Sequence, residues 1–440
     1  MSKPVHSHDA PAERAGCVIP WQFPELRPQE ARLDETAGLV EALGCDLAFI
    51  APLQLRQPSP SHLLSGGHLE TLKTRLEDEA CSICVIDGTL TPVQQRNLER
   101  TLNVKVIDRT GLILEIFGLR ARTREGRLQV ELARLNYERS RLVRTWTHLE
   151  RQRGGRGFLS GPGETQLEAD RRMLDRALKS LESDLEDVKR TRGLQRSGRT
   201  RAGTPVIALV GYTNAGKSTL FNRLSGAKVM ARDMPFATLD PTIRRIELPT
   251  LGEAALVDTV GFISDLPTHL IDSFQATLEE AMEADLLVHV RDRSADTDEE
   301  QRRDVMAVLE RLESETGAPI PPIIEAWNKA DTMAPDRREA LELAAHHADN
   351  PPAALVSART GQGMDRLLAR IEAEFLRGSH TIHASLQPAE GEARAWLHAH
   401  GEVLGEDISE TGITEMDVRL PPDALGRFQA RFPDISLRDG

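Results

Sequence analysis

Residues 211–219 read GYTNAGKST and follow the apolar run PVIALV, completing a G-x-x-x-x-G-K-[ST] pattern. This order of residue types suits one task. Glycines let the backbone approach a phosphate closely, successive N–H groups converge at a helix start, and a lysine and a hydroxyl complete the cradle. Gly211, Tyr212, Thr213, Asn214, Ala215, Gly216, Lys217, Ser218 and Thr219 are therefore expected around the phosphates of a nucleotide. Lys217 would bridge the β- and γ-phosphate oxygens, and the Ser218 hydroxyl would ligate Mg2+.

The base is chosen further along. NKAD (328–331) follows the apolar run PPIIEAW, and its Asp331 can accept two hydrogen bonds from the N1–H and exocyclic amine of guanine. Adenine presents an acceptor at N1, and a site built on a polar contact rejects the analogue lacking it. Asn328, Lys329 and Ala330 would brace this loop. Ser357, Ala358 and Arg359, after the strand AALV, would meet the guanine O6 through backbone N–H groups. GTP and GDP are the ligands expected.

Between these motifs lie candidates for sensing the third phosphate. DTVG (258–261) ends an apolar strand: Asp258 would hold Mg2+ through water, Thr259 and Val260 would line the loop, and the Gly261 N–H would reach the γ-phosphate. FATLD (Phe236, Ala237, Thr238, Leu239, Asp240) offers Thr238 as the second hydroxyl on the metal, with Thr242 the lesser candidate. Both loops would order around GTP and relax after hydrolysis. Residues expected to act on the reacting phosphate are Lys217, Thr238, Gly261 and Asn214. Related enzymes place a water-orienting Gln after the DxxG motif. Phe262 stands there instead and can do no proton chemistry. Hydrolysis should therefore be slow without help, and the Asn214 amide suggests one aid, a K+ ion held near the phosphates.

These loops need a scaffold. The chain has 440 residues, 40% hydrophobic and 28% charged, with a net charge of −13, enough for two to four domains. No apolar run suits a membrane span, the N-terminus lacks a signal-peptide layout, and four cysteines fit a reducing compartment, so a cytoplasmic protein is expected. Cys81 and Cys84 form a CxxC inside the apolar run CSICVID, which reads as a buried strand rather than a zinc or redox site.

Residues 1–118 read as an α/β unit with strands at 47–51, 82–87 and 104–108. Over 119–201, Leu128, Leu132, Leu135, Leu142, Trp146 and Leu149 keep a heptad spacing, repeated by Leu167, Leu174, Leu178, Leu181, Leu185 and Val188. GGRGFLSGPGETQ (154–166) between them reads as a loop, giving an antiparallel helical hairpin. After a polar linker at 191–204, residues 202–378 alternate strand and helix as a G domain, and 379–440 form a small α+β unit. The fold class is α/β, a P-loop NTPase G domain with an N-terminal α/β subdomain, an antiparallel coiled-coil hairpin and a small C-terminal α+β domain.

Over nearly its full length the chain resembles the HflX family of ribosome-associated GTPases. GGRGFLSGPGETQLEADRR (154–172) is similar to the family's GPGETQLExDRR signature, and GYTNAGKS, FATLDPT, DTVGFI and NKAD follow in order. The resemblance implies a GTPase that binds the large ribosomal subunit near the peptidyl-transferase centre and dissociates stalled ribosomes, with ribosome-stimulated hydrolysis. It departs from the family at Ser160, usually Arg, which removes one contact to ribosomal RNA, and at Ile243, usually Thr, which leaves Thr238 as the better metal ligand.

Charge distribution supports an RNA partner separately. Arg120 to Arg201 holds 21 Lys/Arg against 12 Asp/Glu, a balance of +9 that leaves −22 on the remainder. Arg151, Arg153 and Arg156 surround the Gly-rich tip and Arg171 and Arg172 open the return helix, positions suited to an irregular RNA backbone. The acidic unit from Ser379, with five basic and eleven acidic residues, would instead meet ribosomal protein or serve as support. A monomer is expected. Two other readings stand beside this one: a ribosome-assembly GTPase, and an RNA-remodelling protein with an unconventional ATP site before residue 118.

Overall fold

The computed structural model describes residues 12–21, 29–152, 162–202, 204–227, 234–264, 280–348, 351–377, 380–409, 411–420 and 422–439. Two compact units emerge: 1–190 with 232–240 and 263–276, and 191–231 with 241–262 and 277–440. The chain thus passes from one unit to the other between Asp240 and Pro241 and again between Phe262 and Ile263.

The first unit is built on a parallel sheet of β1 (Arg14–Trp21), β2 (Asp46–Gln54), β3 (Ile83–Ile86) and β4 (Lys105–Asp108) in the order β2-β1-β3-β4. Strand β1 was not expected from sequence, because Gly16 and Pro20 both weaken a strand pattern. Each has a local reason. A Cβ on Gly16 would stand 2.5 Å from the Phe49 ring, and Pro20 lies past Val18, where the ladder to β3 ends, so its missing N–H costs no bond on that side. Helices α1 (Gln29–Ala42), α2 (Gly66–Asp78), α3 (Pro92–Leu102) and α4 (Arg109–Arg120) complete the layers. Thr91 and Gln94 close a capping box at the start of α3, with Pro92 in the first turn. Cys84 sits fully buried in β3, and burial pushes its thiol up to about 12; Cys81, also buried, lies just before the strand rather than in it.

At the carboxyl ends of these strands lies a buried ion cluster. Arg109 Nη1 donates to Asp87 Oδ1 at 2.6 Å, Arg32 Nε to Asp87 Oδ2 at 2.7 Å, and Arg109 also pairs with Glu35. Ser264 joins it, its carbonyl accepting from Arg109 Nη2 at 3.0 Å and its hydroxyl donating to Glu35 at 2.8 Å.

Helices α5 (Arg124–Gln152) and α6 (Pro162–Ala202) form the hairpin. Leu178 and Leu185 are buried as the heptad predicts, and Arg139, in a heptad slot, pairs with Asp175 of the other helix at 3.6 Å. Leu128, Leu132 and Leu135 are only half-buried, whereas Gly126, Gln129, Val130 and Ala133 form a second stripe on α5 that is buried. The base of α5 therefore packs on two sides. Pro162 to Gln166 lie within α6 rather than in the loop, since a proline in the first turn forfeits no helical bond. Residues 191–202, expected as a linker, continue the same helix, because arginine, leucine and glutamine favour helix and two glycines do not break it.

The second unit contains a six-stranded sheet in the order β10-β9-β8-β5-β7-β6. Its strands are β5 (Val206–Val210), β6 (Thr242–Leu248), β7 (Gly252–Asp258), β8 (Leu286–Asp292), β9 (Ile323–Asn328) and β10 (Ala353–Leu355). All neighbours are parallel except β6, an antiparallel edge strand with Arg244, Arg245 and Glu247 exposed. Helices α7 (Lys217–Ser225), α8 (Asp298–Thr316), α9 (Pro335–His346) and α10 (Met364–Phe375) accompany it.

The C-terminal α+β unit has β11 (His380–Leu386), α11 (Gly391–His400), β12 (Glu402–Ile408), β13 (Thr414–Leu420), α12 (Pro422–Arg431) and β14 (Leu437–Asp439). Its strand order β12-β13-β11-β14 is that of the split βαβ, ferredoxin-like arrangement. No described helix is long and apolar enough to cross a membrane.

Asp87 is the group on which the N-terminal ion cluster turns. Burial alone would raise its carboxyl, yet Arg109 and Arg32 hold it below the ordinary carboxylate range. Removing it leaves buried charge uncompensated, which costs about 3–5 kcal/mol. Asp87→Ala should speed amide exchange in β3 accordingly at neutral pH. In the parent, a lowered carboxyl contributes stability that is present above its unfolded value near ~4 and is lost as pH falls through the folded value.

Candidate nucleotide-binding site

Strand β5 ends at Val210, and the loop to α7 bends over the carboxyl ends of the sheet. Its turns demand unusual backbone. Gly211 has φ +150° and a Cβ there would lie 2.3 Å from the Val290 carbonyl; Gly216 has φ +97° and a Cβ would lie 2.2 Å from the Asn328 amide. Only glycine fits either place. Asn214 also adopts positive φ, 59°, and is exposed.

Lys217 is buried in the first turn of α7, its Nζ donating to the carbonyls of Gly211 at 3.0 Å and Tyr212 at 2.9 Å. Burial lowers its pKa to about 8, with Asp258 pulling the other way. Asp258 is fully buried at the end of β7, and Thr259 donates its hydroxyl to the Leu209 carbonyl at 2.6 Å. Gly261 follows directly, and a Cβ on it would reach 3.0 Å from Lys217 Nζ and 2.9 Å from Thr213. The loops of β5 and β7 are stitched by a bridge between Tyr212 and Phe262, with Thr213 N–H donating to the Phe262 carbonyl at 2.6 Å. Phe262 is buried, so its ring is a packing element of this stitch.

The NKAD loop and the loop of Ser357 to Arg359 meet at Asn328. Its Nδ2 donates to the Ala215 carbonyl at 2.8 Å and its Oδ1 accepts from the Ala358 N–H at 2.9 Å. Lys329, in the left-handed region at φ 63°, pairs with Asp292 at 2.8 Å. Asp331 accepts from the Ser357 hydroxyl at 2.6 Å and pairs with Arg359. Partial burial pushes the Asp331 carboxyl up, but the Ser357 hydroxyl and Arg359 outweigh it and hold the group below the ordinary range. A permanently ionised acceptor is what guanine's two donors require.

Thus Gly211 to Thr219, Asp258 to Gly261, Asn328 to Asp331 and Ser357 to Arg359 all belong to the second unit. Phe236 to Asp240, with Thr238, belong to the first. There the loop is fastened by its own neighbours: Phe236 meets Phe117 edge to face at 4.6 Å between ring centroids, and Asp240 accepts from the backbone of Arg122 and Thr123. Thr242 pairs in register with Asp258 on β6 and β7. Arg171 and Arg172 are exposed on α6. Arg153, Arg156 and Ser160 lie outside the described residues, as does the side chain of Arg151.

Sequence reading missed Asp292 and the buried cluster beside it. Arg291 donates to Glu325 at 2.7 Å and Asp298 at 3.0 Å, and neighbouring His289 is driven by burial to about 4, against Glu325, so it stays neutral. The signal was present in LLVHVRD, where a histidine and an arginine interrupt an otherwise apolar strand.

A strand–loop–helix with glycines at Gly211 and Gly216 on a mainly parallel sheet, with an NKAD segment at the neighbouring strand ends, defines a P-loop GTPase. Three family models match in series: GTP-binding GTPase N-terminal at residues 30–118, GTP-binding GTPase Middle Region at 120–199, and 50S ribosome-binding GTPase at 206–329. Curated relatives described as GTPase HflX match at full scale. One from Magnetococcus marinus is 45% identical over 401 residues, covering 90% of each chain, and one from Escherichia coli (strain K12) is 42% identical over 390 residues, covering 88% of this chain and 89% of the relative. The solved complex of SsGBP with GDP aligns over 82% of this chain and 98% of its own at 26% identity, with a TM-score of 0.50. The chain belongs to the HflX family of GTPases; it binds GTP and GDP and hydrolyses GTP.

The lowered pKa of Lys217 has a measurable consequence. Nucleotide phosphates favour its charged form, so binding draws on a proton that the free protein holds only below about 8. GDP affinity should be flat below that pH and weaken by up to tenfold per unit above it, measured by titration calorimetry. Lys217→Arg, which stays charged, should remove that slope. Asp331→Asn should weaken GDP by on the order of 100-fold, since the new amide presents a donor to a donor.

Proposed function

We propose that this GTPase acts on the large ribosomal subunit and dissociates stalled ribosomes, with hydrolysis stimulated by the ribosome. The observation that carries this reading is the +9 balance of Arg120 to Arg201 within a chain of net −13. It falls on the hairpin helices, where Arg171, Arg172, Arg176 and Arg190 stand exposed. Arginines along an exposed helix neutralise phosphates and release counterions, which makes RNA binding salt-dependent. The description of the family matched at 206–329, a 50S ribosome-binding GTPase, supports this reading.

In this reading the domains are 1–118, 119–201, 202–378 and 379–440. Gly211 to Thr219 hold the phosphates, Asn328 to Asp331 and Ser357 to Arg359 hold guanine, and Phe236 to Asp240 with Asp258 to Gly261 respond to the third phosphate. GTPase domains of this kind use Mg2+. Ser218 and Asp258 supply hard oxygen donors, the ligand chemistry Mg2+ takes, and Asp258 is fully buried beside Lys217. Ser218, Thr238 and Asp258, the last through water, would hold the metal, which supplies charge to the transferring phosphoryl group. Lys217 holds the β- and γ-phosphate oxygens, and the Gly261 N–H donates to the γ-phosphate. Phe262 moves no proton, so the intrinsic rate is slow and a partner accelerates it.

Purified 70S ribosomes sedimented with the protein and GTP should separate into subunits, and with GDP they should not. Intact particles with either nucleotide would end this reading. Charge reversal at Arg171 and Arg172 should weaken large-subunit affinity and flatten its salt dependence. Asn214, exposed at positive φ, is placed to help a K+ ion at the phosphates. Hydrolysis should run faster in K+ than in Na+, and Asn214→Ala should erase the difference; equal rates in both salts would exclude the ion.

A further inference from the structure

Segment 234–240 is fastened to the elements at the base of the hairpin. The Asp240 carboxylate accepts the backbone N–H groups of Arg122 at 2.8 Å and Thr123 at 3.0 Å, and also the Thr123 hydroxyl. That hydroxyl in turn accepts from the Gly126 N–H at 2.9 Å, so Asp240 and Thr123 together close the N-terminal end of α5. Gly126 itself is constrained here, since a Cβ would fall on Asp240 Oδ1. Upstream, Phe236 adopts φ 55° and sets its ring against Phe117 of α4, and Arg120 donates to Met234 Sδ at 2.7 Å. The four residues from Phe117 to Arg120 end α4, and four residues later α5 begins.

The geometry points to Asp240 as a positioning residue for the GTPase reaction, one that makes the loop carrying Thr238 and the first turn of α5 move as a single piece. The inference rests on the reading of Thr238 as a residue drawn toward the metal and third phosphate. Thr238 and Asp240 are two residues apart, a span of at most about 7 Å, so displacement of one is passed to the other. Three hydrogen bonds to an ionised carboxylate at a helix N-terminus hold more firmly than a single neutral contact, and the aligned helix dipole adds to them. Helix α5 then acts as a lever: 29 residues extend about 43 Å, and a tilt of about 5° at the base moves the far end by about 4 Å. The direction of influence is reciprocal. Whatever holds the hairpin still also holds Thr238 in place, which is a route for a hairpin-bound partner to raise the hydrolysis rate.

The test uses the full chain with spin labels at Met173→Cys on α6 and Leu343→Cys on α9, both exposed positions, in a Cys45→Ser background because the other three thiols are buried. Met173 lies beside the Arg139–Asp175 pair, about halfway along α5, so the label-to-label distance should differ by about 2 Å between GDP and a non-hydrolysable GTP analogue with Mg2+. In Asp240→Ala that difference should vanish, and in Thr123→Val, which keeps the two backbone bonds to Asp240, it should shrink with GDP affinity unchanged. Amides of Arg122 and Thr123 should exchange equally slowly in both nucleotide states of the parent. A parent without a distance change, an Asp240→Ala and Thr123→Val pair that both keep it, or amides that lose protection with the analogue would each overturn the inference. Thr238→Ala separates the two readings: if it keeps both intrinsic hydrolysis and the distance change, the role of Thr238 is wrong. If Thr238→Ala abolishes the distance change while the Asp240 and Thr123 variants keep it, only the coupling is wrong.

Discussion

One side-chain amide holds the nucleotide site together. Asn328 donates to the loop of Gly211 to Thr219 at Ala215 and accepts from the loop of Ser357 to Arg359 at Ala358, so the segment proposed to cradle phosphate and the segment proposed to meet the base share a residue. A carboxamide donates from its nitrogen and accepts at its oxygen, and the buried position of this one makes both bonds obligatory. The absence of a side chain at Gly216 follows from it, because a Cβ there would occupy the place of the amide nitrogen. Distances between the phosphate and base ends of the ligand are thereby set before any ligand arrives, which lowers the ordering cost of binding.

The phosphate end obeys a second constraint. Lys217 is buried, and its ammonium is met by two backbone carbonyls with Asp258 nearby. In the proposed reading, phosphate oxygens would take the place of these carbonyls and compensate the buried charge further. The sheet fixes where this happens: β5 and β7 pair in parallel with Leu209 opposite Asp258, and the Tyr212 to Phe262 bridge continues that pairing past the strand ends. A ring buried at Phe262 is thus the structural counterpart of the missing glutamine.

What the residues disclosed beforehand was mostly local. A phosphate loop needs its glycines, lysine and hydroxyl consecutive in the chain, and the strands bearing the DTVG, NKAD and SAR segments are short apolar runs ended by polar residues. The heptads gave the hairpin for the same reason. Contacts between distant residues were not legible: Asp240 and Thr123 lie 117 residues apart, and nothing in either neighbourhood announces the other. Strand β1 stayed hidden because Gly16 and Pro20 contradict strand propensity, and only the packing of Phe49 and the end of the β3 ladder excuse them. Residues 191–202 looked like a linker from their polarity, although arginine-rich polar sequence continues a helix readily when no proline stops it. The Arg291 cluster escaped because a charge inside an apolar strand acquires meaning only once Glu325 and Asp298 stand beside it.

The outer edge of the G-domain sheet carries a different lesson. Among the described residues, strand β6 has no sheet neighbour on its outer side, the kind of edge that recruits a strand from another molecule. Arg244 and Arg245 sit consecutively on it and Glu247 follows, all exposed, with Arg245 paired to Glu253 at 3.2 Å on the inner neighbour β7. A second copy docking edge to edge in antiparallel register would bring arginines of one chain against those of the other and strip water from them. The same short strand that delivers the chain into the sheet opposite Asp258 is in this way protected against aggregation by its own cations.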